Sequence, residues 1–233
     1  PLWFEVPKSK HAPKAVRAAL KQGAELVLAW GGDGMQQRCI DVLAGTGVPL
    51  GILPAGTGNL LATNLEIPMT VPEAVAVALR GERRAMDTGV ANGEHFAVMA
   101  GAGFDALMIK DADGTLKDRL GRAAYLWTGL KNISAAQVEG RVKVDGTLFY
   151  EGQLSCVLVG NVSKVFASIE AFDGARHDDG LLEIGVVSAS TPLEWTRAVT
   201  RVVVDRAEKS PFVDVTRGKK IRITLKRKLT YEI

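Results

Sequence analysis

Short unbroken apolar runs alternate with helical periodicity in the first third of the chain. Residues 13–22 (PKAVRAALKQ) place apolar side chains on one helical face, with Pro13 at the start and Gly23 just past the end. Residues 25–30 (ELVLAW) form a compact apolar run that stops at a glycine pair, as a buried parallel strand does. The helical period returns over 35–43. Residues 48–53 read as a second buried strand, and this one runs into Pro54-Ala55-Gly56-Thr57-Gly58-Asn59. Thr70-Val71-Pro72-Glu73 is the pattern of a capping box, opening a helix that ends near Gly81. Such a βαβα succession predicts a parallel sheet covered by helices.

Beyond Arg83 the texture changes. Segments become short and alternating, with hairpin signals at Val90-Ala91-Asn92-Gly93 and Val144-Asp145-Gly146-Thr147. Two helices are expected among them, over 120–133 and over 192–207, the second with Thr191 as its N-cap. The pattern divides the chain into an α/β domain over 1–83 and a mainly antiparallel β domain over 84–233.

Composition narrows the class. With 47% hydrophobic and 24% charged residues in 233, whole-chain disorder, collagen and coiled coil are excluded. Cys39 and Cys156 each stand alone in an apolar stretch, which excludes a disulfide framework and a Cys-based zinc site and fits a reducing cytoplasm. His11, His95 and His177 lack metal-ligand spacing. No apolar run approaches the roughly 20 residues of a membrane span, and no signal-peptide pattern opens the chain. Pro1 is followed at once by apolar Leu2-Trp3-Phe4, which reads as a start inside a fold. Asn132-Ile133-Ser134 and Asn161-Val162-Ser163 match the glycosylation sequon but lack secretory context.

A net charge of +3 is too mild to argue for nucleic acid, and it is evenly shared, with eight bases and seven acids up to Arg83. Residues 217–228 are the exception, holding seven bases and no acid. There Ile221, Ile223 and Leu225 alternate with Arg222, Thr224 and Lys226, a strand with one basic face. Such a face is either simply solvated or a surface for anionic lipid head groups or nucleotide phosphates.

Gly31-Gly32-Asp33-Gly34 carries the first chemical signal. It follows a buried strand and opens a helix, where backbone N–H groups and the helix dipole make an anion site. Glycines let the backbone approach a polyphosphate, and a carboxylate such as Asp33 suits a hard cation like Mg²⁺. The tetrapeptide alone is equally compatible with a plain Asp-Gly turn. Gly56-Thr57-Gly58-Asn59 shifts that balance, because it too follows a buried strand and opens a helix. In a parallel sheet both turns fall at the same carboxyl-end edge, where two loops can grip one phosphate chain. Neither turn is a Walker A loop or the G-x-G-x-x-G dinucleotide fingerprint.

The two turns together resemble the diacylglycerol kinase catalytic domain, the lipid-kinase family that includes sphingosine and ceramide kinases and bacterial homologues. Later segments agree in order and spacing. These are Ala100-Gly101-Ala102-Gly103-Phe104-Asp105, Leu120-Gly121-Arg122-Ala123-Ala124-Tyr125, and the block from Ala175 through Asp178-Asp179-Gly180-Leu181-Leu182-Glu183. The resemblance covers essentially the whole chain. It implies a Rossmann-like α/β nucleotide-binding domain, a C-terminal β-sandwich, and an active site in the cleft between them. It implies an ATP- and Mg²⁺-dependent kinase acting on the hydroxyl of a lipid such as diacylglycerol or a sphingoid base. By motif match Gly31, Gly32, Asp33, Gly34, Gly56, Thr57 and Asn59 bind the nucleotide or its Mg²⁺. Asp87 faces the lipid head group, and a structural Mg²⁺ is held by the Asp179 side chain and the carbonyls of Arg176 and Leu181. The resemblance further implies a cytoplasmic protein, peripheral at the membrane, with no nucleic-acid partner and with a homodimer left open.

Departures from the family pattern accompany the matches. Met35, Gln36, Gln37 and Arg38 follow the first turn, without the family's Thr hydroxyl and later Glu. Leu60 stands where many members carry Asp, and the glycine-rich stretch after Gly160-Asn161 is replaced by Val165-Phe166-Ala167-Ser168-Ile169. The family's first strand and its phosphate loop would precede Pro1, and its Asp-Gly-Glu general base would follow Ile233. Two alternatives therefore stand beside the lipid kinase: an NAD kinase-like phosphotransferase and a lipid-binding relative without catalysis.

Overall fold

A computed structural model describes residues 1–103, 137–166, 169–203, 210–229 and 231–233. The expected helix over 120–133, the Phe104-Asp105 pair and the Leu120 to Tyr125 motif lie outside them. The described chain gathers into two compact units. The first comprises residues 1–99, 161–169 and 176–179, and the second residues 100–160, 170–175 and 180–233.

In the first unit, a short 3-10 turn at Ser9–His11 leads into α1 (Ala12–Lys21), then β1 (Val27–Gly31) and α2 (Asp33–Leu43). β2 (Leu50–Pro54), α3 (Leu60–Asn64) and α4 (Val71–Arg80) follow, before a hairpin of β3 (Gly89–Ala91) and β4 (Glu94–Phe96). β1 and β2 pair in parallel, Val27 opposite Leu50 and Gly31 opposite Pro54. Ala12, Val16, Ala29, Cys39 and Leu43 form one core cluster, so the apolar faces of α1 and α2 close on β1. Ile52, Leu61, Ala62 and Ala97 form another around β2 and α3.

Two local readings are corrected. α2 starts at Asp33, two residues before the expected 35, because extended Gly32 caps it and its carbonyl accepts from the N–H groups of Met35 (2.9 Å) and Gln36 (3.2 Å). At the start of α4 the Thr70 hydroxyl donates to the Glu73 carboxylate, side chain to side chain, and makes no cap bond to the backbone. The reciprocal bonds of a capping box occur instead at α5 (Pro192–Val203) in the second unit. There the Glu194 N–H donates to Thr191 Oγ1 (3.3 Å), while Glu194 Oε2 accepts from the N–H groups of Ser190 (2.7 Å) and Thr191 (3.1 Å).

β5 (Met99–Ala102) carries the chain into the second unit, which continues with β6 (Val138–Val144), β7 (Thr147–Leu154) and β8 (Cys156–Gly160). The short strands β9 (Lys164–Phe166) and β10 (Ile169–Glu170) pair with each other. β11 (Leu182–Val187), β12 (Val213–Gly218), β13 (Ile221–Leu225) and β14 (Tyr231–Glu232) complete the chain. One sheet runs in the order β12-β11-β8-β5-β14 and a second in the order β13-β6-β7. Along β6 buried Val138, Gly140, Val142 and Val144 alternate with exposed Glu139, Arg141 and Lys143, the two-residue period of a sheet with one wet face. β8 is buried at every position. Both hairpin turns use left-handed pairs, Asn92-Gly93 (φ 51° and 95°) and Asp145-Gly146 (φ 49° and 88°), the conformations that short hairpin loops need. No helix among the described residues is long and apolar enough to cross a membrane.

Each unit buries one cysteine. Burial pushes the Cys39 thiol up to about 11 and the Cys156 thiol up to about 12, so almost no reactive thiolate exists at neutral pH. Iodoacetamide at mildly alkaline pH is therefore expected to leave both unmodified in the native protein. In a denaturant titration read by peptide mass, Cys39 labelling should report opening of the first unit and Cys156 labelling that of the second. Rapid labelling of either cysteine without denaturant would contradict the packing described.

Candidate functional site

The carboxyl ends of β1 and β2 bring the two glycine turns together. Parallel pairing sets Gly31 beside Pro54, and the Ala55 N–H donates to the Gly31 carbonyl (3.1 Å), so the ladder extends into both turns. A Cβ built on Gly56 would lie 2.6 Å from the Gly32 Cα, and one on Gly32 would lie 3.0 Å from the Gly56 Cα. The turns touch backbone to backbone, which leaves no room for a Cβ at Gly56 and room for one at Gly32 only if its neighbour shifts. Gly31 has a separate reason: a Cβ there would sit 2.6 Å from the Met35 Cβ. Met35 packs on the α1–α2–β1 core, so it takes a structural role where the family has a hydroxyl.

Asp33, the first residue of α2, reaches across to the second turn. Its Oδ1 accepts from the Leu61 N–H (3.2 Å), a donor in the first turn of α3 that lacks an intrahelical partner. Its Oδ2 faces Gly58, where an added Cβ would approach to 2.9 Å. Asn59 holds the second turn from within. It sits in the left-handed region (φ 47°), its Oδ1 accepts from the Gly56 N–H (2.8 Å), and its Nδ2 donates to the Gly56 carbonyl (2.8 Å). Thr57 is exposed at the tip, and Gly34 lies in the first turn of α2. All seven residues proposed for nucleotide binding thus lie on two adjoining turns of one unit. Asp33 Oδ1 retains lone-pair capacity beyond the bond it accepts from Leu61, and its carboxylate is a donor type compatible with a hard cation.

Gln36 was not among the candidates. It is buried in α2, its Nε2 donates to the carbonyls of Ala29 (2.9 Å) and Gly31 (3.3 Å), and its Oε1 has no partner among the described residues. It ties the helix behind the first turn to the strand in front of it. Its signal was present in the sequence, because Gln36, Cys39 and Leu43 share the buried helical face and only Gln36 is polar.

Asp87 lies between α4 and β3 and is held by its backbone. Its N–H donates to the His177 carbonyl (2.7 Å), and its carbonyl accepts from Asn161 Nδ2 (2.8 Å). Asn161 is fully buried and also donates to the Ala97 carbonyl (3.1 Å), so it anchors the segment that carries Asp87. Asn64, at the end of α3, brackets Lys164 by donating to its carbonyl (2.7 Å) and accepting from its N–H (3.0 Å). Neither asparagine was singled out from sequence for these contacts. In the Asp178-Asp179-Gly180 turn the Arg176 guanidinium pairs with Asp178 (3.1 Å) and holds that carboxyl below its usual range. The Arg176 side chain is thus engaged by Asp178, while the proposed ligand atom is its carbonyl. Leu181 directly precedes β11. Among the described residues no group of three or more His, Cys, Asp or Glu side chains gathers as a metal cluster.

Comparison with known proteins places the chain. Residues 3–91 match the diacylglycerol kinase catalytic domain, and residues 98–233, more than half of the chain, match the YegS C-terminal NAD kinase beta sandwich-like domain. An uncharacterized protein of Synechocystis is 32% identical over 213 residues, covering 88% of this chain and 48% of its own length. A probable YegS-like lipid kinase of Pseudomonas fluorescens is 35% identical over 190 residues, covering 79% of this chain and 62% of its own length. The chain therefore spans less than two thirds of either relative. The crystal structure of a putative diacylglycerol kinase from Bacillus anthracis superposes with a TM-score of 0.81 at 24% identity, covering 98% of this chain and 77% of that one. That likeness establishes a shared fold: an N-terminal α/β catalytic domain followed by a β-sandwich-like domain.

The touching turns generate a stability prediction. Gly56→Ala should destabilise the protein by about 1–3 kcal/mol, since its Cβ meets backbone that cannot rotate away. Gly32→Ala, with 0.4 Å more room, should cost less. Urea denaturation measures both. A Gly56→Ala protein as stable as the parent would show that the turns are free to separate.

Proposed function

Because the chain belongs to the diacylglycerol kinase catalytic-domain family, we propose that it serves an ATP- and Mg²⁺-dependent lipid kinase, transferring the γ-phosphoryl group to a lipid hydroxyl. The observation that carries this reading is the backbone contact of two glycine turns at the carboxyl edge of one parallel strand pair. That edge is where open α/β sheets bind ligands, and glycines at the turn that opens α2 let the backbone approach a polyphosphate.

In this reading Gly31, Gly32, Gly34, Gly56 and Thr57 line the phosphates, while Asn59 keeps the Gly56 amide and carbonyl in their turn geometry. Asp33 is the residue suited to the nucleotide's Mg²⁺, which when bound would neutralise charge on the transferring phosphoryl group, and the Asp179 side chain with the Arg176 and Leu181 carbonyls is proposed to hold a separate structural Mg²⁺. The acceptor hydroxyl oxygen bonds to the γ-phosphorus as the bond to the β-phosphate oxygen breaks, ADP leaves, and the hydroxyl proton passes to a carboxylate base. No residue of this chain is assigned as that base. Asp87, with its backbone fixed on both sides, is proposed to orient the lipid head group. The protein contributes position and charge balance, the main sources of rate in phosphoryl transfer.

Asp33 separates chemistry from architecture. Asp33→Ala removes the acceptor for the Leu61 N–H and should cost about 1 kcal/mol of stability. Asp33→Asn keeps an acceptor oxygen there but removes the charge, so it should leave stability nearly unchanged while lowering phosphoryl transfer by about a hundredfold or more. The assay uses γ-labelled ATP and Mg²⁺ with diacylglycerol, monoacylglycerol, sphingosine, ceramide and NAD. Label entering one lipid, and lost in Asp33→Asn, is expected. Label entering NAD alone would assign a nucleotide kinase, and ATP binding without label in any acceptor would assign a non-catalytic lipid-binding relative.

A further inference from the structure

The basic strand noticed in the sequence is β13, and its register explains what the charge count left open. Arg222 lies directly opposite Lys143 of β6, and Lys143 directly opposite Leu148 of β7. Residues opposite one another share a face, and all three are exposed, Leu148 at 49%. One row across the outer face of this sheet therefore reads cation, cation, leucine.

The next rows differ. Arg141, opposite Thr224, pairs with Glu151, and Lys226 pairs with Glu139 (2.7 Å). Among the described residues neither Lys143 nor Arg222 has an ion-pair partner. Two further exposed lysines, Lys219 and Lys220, sit in the turn leading into β13. The nearby Asp145 carboxylate is committed to that turn's backbone, accepting from the N–H groups of Lys219 (3.1 Å) and Lys220 (2.8 Å). Like charges directly opposite destabilise a sheet, so nothing in folding favours this row.

We propose that this end of the β13-β6-β7 face docks on an anionic lipid bilayer, with Lys143, Lys219, Lys220 and Arg222 at the head groups and Leu148 entering the acyl boundary. The occupant follows from charge complementarity and from the leucine beside the cations, which a phosphate or a nucleic acid would leave unused. It rests on the reading that the substrate is a lipid, because such a substrate is presented in a membrane.

Vesicle sedimentation without nucleotide tests the surface independently of catalysis. Vesicles of equal parts phosphatidylglycerol and phosphatidylcholine are compared with phosphatidylcholine alone and with duplex DNA. The protein should bind the anionic vesicles, with binding falling as salt rises. Lys143→Gln combined with Arg222→Gln should weaken it about thirtyfold, at roughly one charge's worth of surface attraction per residue. Leu148→Ser should weaken it about tenfold. Arg141→Gln combined with Glu151→Gln, neutral in net charge, should leave it within about twofold. The charge-row variant should be no less stable thermally than the parent, since it relieves a like-charge opposition.

Unchanged vesicle binding in the charge-row variant, or equal binding to both lipid compositions, would overturn the proposal. So would binding to DNA that shows the same loss. A short-chain acceptor dispersed as monomers keeps the kinase reading separate: the charge-row variant should phosphorylate it at the parent's rate. Failure of vesicle binding with that activity intact removes the surface alone, and absence of that activity with binding intact removes the kinase reading alone.

Discussion

Everything assigned to the candidate site depends on the contact between Gly32 and Gly56. Two parallel strands end in register, and each chain turns away into a helix at the same edge. A single added methyl on Gly56 would fall 2.6 Å from the neighbouring backbone, far inside van der Waals distance. With both residues glycine, the two turns come as near to each other as backbones permit. That closeness is the ground for proposing a polyphosphate as the occupant of the two turns.

The surrounding polar residues keep this contact from loosening. Asp33 spans from the first turn to the start of α3, and Asn59 closes the second turn on itself. Behind them Gln36 links α2 to the last carbonyls of β1, leaving a buried acceptor without a partner among the described residues, a penalty of about 1–3 kcal/mol. A leucine would fill that position without such a penalty, which is consistent with Gln36 holding strand and helix in a fixed relation. Asn161 plays a comparable part for the Asp87 segment, again with one buried oxygen unpartnered among the described residues.

Local rules carried much of this from the sequence. The parallel pair, its covering helices, both left-handed hairpin turns and the wet face of β13 follow from periodicity and turn chemistry, which act within a few residues. Side-chain bonding at helix starts did not. Thr70 and Glu73 have the spacing of a capping box yet bond to each other, while Thr191 and Glu194 make the full box. Rotamer choice decides between these outcomes, and spacing does not encode it. The bonds of Asp33 to Leu61, Asn64 to Lys164 and Asn161 to Asp87 span 28, 100 and 74 residues. Such partners are set by tertiary packing, so the sequence marks at most an unusual residue, as with Gln36 on an otherwise apolar helical face. The cation row at Lys143 and Arg222 needed the pairing register for the same reason.

Both glycine turns are proposed to grip one phosphate chain. Amide hydrogen exchange with and without Mg²⁺ and a non-hydrolysable ATP analogue addresses it at the atoms concerned. Joint protection of residues 32–35 and of residues 56–61 on nucleotide addition is the predicted result. Protection confined to one turn, or to neither while nucleotide is bound, would contradict it.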